Sequence, residues 1–143
     1  MVKEVKFNGI LYAIIVPSNY HKNGISFFTE DSLSQQLAYM EHPVGYVIEP
    51  HIHNMVKREI HYTREVLFIR KGKIRIDFYS DNKEYLESYY LEAGDVILLI
   101  NGGHGFKIIE DIEMFEVKQG PYGGEMDKVR FSAVSELDIR ISE

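Results

Sequence analysis

From Tyr46 onward, turn-forming residues interrupt the chain every ~8–12 positions, and no stretch between them carries a helical apolar period. The segments left between the breaks are "YVIEPHIH", "EVLFIRKG", "KIRIDFYS", "YLESYYLEAG", "DVILLINGG", "HGFKIIED" and "IEMFEVKQG". In one of them Ile74, Ile76 and Phe78 alternate with Arg75, Asp77 and Tyr79, the period of a half-buried strand. Lys71-Gly72, Ser80-Asp81-Asn82, Ala93-Gly94-Asp95 and Asn101-Gly102-Gly103 supply turn chemistry. Many short strands without intervening helices predict an all-β sandwich or barrel.

The first third of the chain fits the same class. Asn8-Gly9 separates "EVKF" from "ILYAIIV" and suits a two-residue hairpin turn. Residues 17–24 are rich in turn formers, and residues 32–40 are the one stretch that could be either a helix or a strand. An apolar "ILYAIIV" lying at a sheet edge would need cover, which predicts a homodimer. The tail, residues 120–143, reads as a short helix, an added strand or disorder. No composition break marks a linker, so residues 1–143 are expected to form one domain.

At 143 residues with 45% hydrophobic and 27% charged content, the chain can fill a globular core. The net charge of -6 argues against a phosphate backbone as partner, so no nucleic-acid role is expected. With no cysteine, thiolate nucleophiles and cysteine-ligated metals are excluded. The apolar run over Ile10–Val16 is far shorter than the ~20 residues of a membrane span. No signal-peptide pattern accompanies it, so the expectation is a cytoplasmic protein with no membrane partner.

The chemistry-bearing residues cluster in and after "PHIHNMVKREIHYTREVLFIRKG". If "YVIEPHIH" is a strand, His51 and His53 project to one side with β-carbons about 6.5–7 Å apart, close enough to converge on one ion. Glu65 and His104 are the candidate further ligands. The order and spacing of Gly45, His51, His53, Glu65 and Gly72, followed by Gly94, Gly102 and His104 in "GDVILLINGGHGF", resembles the two motifs of the cupin family. The likeness spans residues 45–117. It departs from the family in the long interval between His53 and Glu65, which brings Glu59 nearer the usual spacing, and in Ile100 where a proline is common. Glu65 is preferred because it opens the apolar "EVLFI" and stands at the family's interval from Gly72.

Membership of that family would imply a cupin-type double-stranded β-helix, a jelly-roll barrel of two antiparallel sheets. It would also imply one divalent transition metal ion, Fe, Mn, Ni or Zn, held by His51, His53, Glu65 and His104. Residues 54–64 would then be a loop at the barrel mouth, from which Lys57, Arg58 and Tyr62 can orient a polar or anionic small-molecule ligand. His21 and His42 read as surface residues. "NGGHG" lacks the ending and following helix of a phosphate-binding loop and reads as a strand connection. Three functions stay open: a metal-dependent enzyme such as an oxygenase or isomerase, a non-catalytic small-molecule or sugar sensor, and a metal-free sugar-nucleotide isomerase or epimerase.

Overall fold

The computed structural model describes residues 1–143. Eight strands follow one another: β1 Lys3–Phe7, β2 Ile10–Val16, β3 Gly24–Phe27, β4 Ala38–Glu41, β5 Glu65–Tyr79, β6 Tyr85–Glu92, β7 Val96–Leu99 and β8 Gly103–Lys118. Two single 3-10 turns, Gly124–Asp127 and Glu136–Asp138, are the only helical residues. The chain divides into two compact units: Met1–Tyr20 with Thr63–Glu143, and His21–Tyr62. The first is a curled antiparallel half-barrel sheet and the second is built on a two-stranded sheet.

In the half-barrel unit the predicted hairpin forms, with Asn8 and Gly9 both left-handed at φ 50° and 77°, as its tight turn requires. The sheet order is β1-β2-β7-β5-β6, with β8 paired to β5. β2 is therefore interior, between β1 and β7, and Ile14, Ile15 and Val16 are buried within the chain. The expectation that "ILYAIIV" is an exposed edge is corrected: β1 pairs with one side of it and β7 with the other.

Lys71-Gly72 does not separate two strands. β5 runs unbroken from Glu65 to Tyr79, pairing with β7 at its start, with β6 at its end and with β8 throughout. The pairing with β8 slips between Ile69 and Ile74, and the extra residues bend the ribbon as bulges do. Gly72 sits in the bend at φ 86°, so close to the Asp111 carbonyl that a β-carbon would overlap it. Only glycine meets both demands.

One face of the sheet carries the core of Val5, Ala13, Leu67, Ile69, Ile76, Phe78 and Ile97. The other face of late β5 is polar yet equally covered: Arg75, Asp77 and Tyr79 are 5%, 4% and 3% exposed. The tail supplies the cover. Glu136 meets Arg75, the Val134 amide donates to the Tyr79 hydroxyl, and Ile141 bridges to Ser88. The half-buried strand expected from the alternation is thus buried on both faces, and the tail combines a short 3-10 turn with a one-residue bridge.

In the second unit β3 and β4 pair antiparallel from Gly24/Glu41 to Phe27/Ala38. The connection is tied by Gln36, whose amide donates to the carbonyls of Glu30 and Leu33 while its oxygen accepts from Thr29. No helix forms over residues 32–40; the last three residues of that stretch enter β4. "YVIEPHIH" is not a strand either. Residues 42–62 have no regular structure apart from a turn at Val44-Gly45 and a bend at Tyr62, and Pro50 cannot donate to a ladder.

Candidate functional site

The concave face of the half-barrel encloses a cleft of about 750 Å³. Glu65 and His104 meet in it, with Glu65 Oε2 3.3 Å from His104 Nε2 and the side chains only 17% and 27% exposed. Their approach depends on the bend at Gly72. His104 pairs with Phe78, and Glu65 lies thirteen residues earlier on β5, which in a straight strand would be about 43 Å away. Folding the β5/β8 ribbon on itself brings its two ends together. Cross-strand partners share a face, so Glu65 stands with Leu99 and Leu67, and His104 with Phe78, all on the core side.

The pair is electrostatically poised. The His104 hydrogen bond holds the Glu65 carboxyl below the usual carboxylate range, against the opposing effect of its burial, and the charges of Lys118 and Lys128 add to the lowering. Glu65 is therefore an anion at neutral pH. Around it the cleft is lined by Tyr79, Phe106, Met114 and Glu116 from the sheet and by Lys128 and Phe131 from the tail. Phe131 packs edge-on against Tyr79 at 5.0 Å, and Thr63 Oγ1 donates to Asp127 at 2.6 Å, fastening the tail wall to the start of β5.

The other expected site residues belong to the second unit. His51 and His53 lie on exposed coil with ring centroids 5.1 Å apart. His51 Nδ1 is 2.9 Å from the Glu49 carbonyl, which can only accept, so in the neutral ring Nε2 carries the free lone pair. That backbone bond is the kind that orients metal-bound imidazoles. Glu59 lies 3.5 Å from His61, both well exposed. Lys57, Arg58 and Tyr62 are exposed coil residues.

Glu65 and His104 suit a metal by chemistry and separation, because donors each ~2.0–2.2 Å from one ion stand about 3.0–3.4 Å apart. No group of three or more histidine, aspartate or glutamate side chains is gathered as around an ion. Of the four expected ligands, Glu65 and His104 are brought together in the half-barrel unit, and His51 and His53 lie near each other on exposed coil of the second unit.

Little in the sequence marks the tail wall. Lys128 and Phe131 sit in a stretch without strand periodicity, where the apolar Val129 and Phe131 among polar neighbours were the sole hint of a packed surface. No protein-family model, curated protein or solved structure matches the chain.

Proposed function

We propose that this chain is a cupin-type jelly-roll protein that binds one divalent transition metal ion, Fe, Mn, Ni or Zn, and acts on a small polar or anionic molecule. His51, His53, Glu65 and His104 are its ligands. The observation that carries the reading is the contact of Glu65 with His104 inside a cleft of ligand size. Two residues distant in sequence, each singled out by the resemblance to the cupin motifs, meet where a ligand could be enclosed. A bound ion would supply Lewis acidity or a dioxygen site.

The chain's own residues have separate tasks in this reading. Glu65 offers a charged oxygen, kept ionised by its neighbours. Phe106, Phe131 and Met114 exclude water from one side of the cleft, and Lys128 offers an anionic ligand group a cation, a task expected from the sequence for Lys57, Arg58 and Tyr62. The protein is proposed to be a cytoplasmic homodimer.

A second reading is favoured by the directness of the same contact. An imidazole bonded to a half-buried carboxylate is a general acid–base pair, the equipment of a metal-free isomerase or epimerase. A sensor that binds without turnover would use the cleft alone. Elemental analysis of protein purified without a metal-affinity tag separates these readings. Near-stoichiometric metal in wild type that is lost in His104→Ala is expected. Metal-free protein that still catalyses or binds through Glu65 and His104 overturns the metal reading in favour of the acid–base pair or the sensor.

A further inference from the structure

The cleft that holds Glu65 and His104 is apolar over much of its wall. Phe106 and Met114 line it from the two limbs of the folded β5/β8 ribbon, paired in register with the buried Ile76 and Ile69. Phe131 adds a third side from the tail. These three side chains are still 39%, 38% and 37% exposed, so a molecule seated among them would take apolar surface out of water. At about 750 Å³ the cleft falls within the ~300–1,000 Å³ of small-molecule sites.

The polar groups of the lining are few and mostly committed. Glu65 and His104 contact each other, the Tyr79 hydroxyl accepts from the Val134 amide, Thr63 donates to Asp127, and Arg130 pairs with Glu125. Two charged side chains of the lining, Lys128 and Glu116, engage no other residue. Lys128 stands on the Glu65 side: its charge acts on the Glu65 carboxyl together with that of Lys118, the cross-strand partner of Glu65. Two cations therefore face the Glu65 carboxylate, and an anionic group placed there gains a charged donor. Glu116, the cross-strand partner of Leu67, lies further along β8 toward Met114.

Such a wall discriminates between ligands. A polyol or a polycarboxylate would set most of its polar atoms against Phe106, Met114 and Phe131, where they find no partner. An uncharged apolar molecule would leave Lys128 unused. We propose that the ligand of this cleft is an amphipathic organic acid, a single carboxylate on a ring-sized apolar body, with the body among Phe106, Met114 and Phe131 and the carboxylate at Lys128. This rests on the reading above in taking the cleft as the ligand site, and it narrows the polar or anionic molecule to a chemical class.

The test uses the full chain after chelator treatment, titrated in turn with phenylpropionate, phenylpropanol, phenylpropylamine and succinate. Calorimetry gives the affinities and the Met114 methyl resonance reports the place of binding. Phenylpropionate should shift that methyl and bind at least ~10-fold more tightly than succinate, which has the charge without the ring. It should exceed the alcohol and the amine by about threefold, the worth of an exposed cation–carboxylate contact. Lys128→Gln, on exposed coil, should erase the preference for the acid over the alcohol and leave alcohol binding within about twofold of wild type. Succinate binding as tightly as phenylpropionate, a preference for the amine, acid binding indifferent to Lys128→Gln, or no shift of the Met114 methyl overturns the proposal. Zn(II) titration of the same protein judges the metal separately. Zn(II) uptake without acid binding keeps the metal reading and overturns the acid, whereas acid binding without Zn(II) uptake keeps the acid and removes the metal.

Discussion

Arg75 on β5 and Glu136 in the tail form a two-point ion pair, Nη1 to Oε2 at 2.8 Å and Nη2 to Oε1 at 3.1 Å. The same guanidinium holds Asp77 at 2.7 and 3.0 Å, and Ser88 Oγ donates to Asp77 at 2.5 Å. One buried cation therefore joins the sheet to the tail that walls the cleft. Arg75→Met should leave Asp77 buried with a hydroxyl as its partner, costing about 3 kcal/mol in urea unfolding. Glu136→Gln keeps Asp77 satisfied, so it should chiefly raise the proteolytic sensitivity of the tail. A loss under roughly 1 kcal/mol for Arg75→Met would show that Asp77 finds another partner.

Acid should release the tail before it unfolds the sheet. Arg75 and Lys107 hold Glu136 down to about 2. A carboxyl depressed in the folded state contributes stability that is full above its ordinary value of ~4.3 and is lost as pH falls through the folded value. The window is therefore pH ~4.3 down to about 2. Exchange of the Ser88 and Ser142 amides, which bond Arg140 and Ser88, should accelerate across it in wild type and be fast already at pH 5 in Glu136→Gln. Glu65 is lowered as well, so its contact with His104 should weaken as pH falls below the ordinary carboxylate range.

The sequence was most legible where local chemistry decides the structure. Asn8-Gly9 specifies its hairpin turn without help, and Glu65 opens its strand because an apolar run begins there. Lys71-Gly72 misled because a glycine in a bulge and a glycine in a loop have the same local signature. Arg75 and Asp77 read as a solvent face because alternation reports polarity, and a polar face can be buried when an ion pair satisfies it. Residues 46–53 have strand composition, but a strand is defined by its partner, which a local pattern does not contain. Of the candidate residues, Glu65 and His104, which the resemblance picks out, meet in the structure, and the tail wall is marked in the sequence only by the apolar Val129 and Phe131 among polar neighbours.

The bend at Gly72 can be weighed against a matched control. Gly72 and Gly45 have φ of 86° and 87°, but a β-carbon at Gly45 meets open space. Gly45→Ala should cost ~1–2 kcal/mol, the penalty of a left-handed backbone alone. Gly72→Ala adds collision with the Asp111 carbonyl and should cost clearly more, while separating Glu65 from His104. Equal losses in thermal unfolding of the two variants would mean that the ribbon absorbs the β-carbon and the bend does not depend on close approach.

The central claim, that Glu65 and not Glu59 is the site carboxylate, is tested most directly by calorimetric titration of wild type, Glu65→Gln and Glu59→Gln with Zn(II). All three should be matched for folding by circular dichroism. Glu65→Gln keeps the shape and removes the charge, so affinity should fall at least ~10-fold, about 1.4 kcal/mol, while Glu59→Gln stays within about threefold of wild type. A large loss for Glu59→Gln with Glu65→Gln near wild type, or indifference of both, would contradict the account.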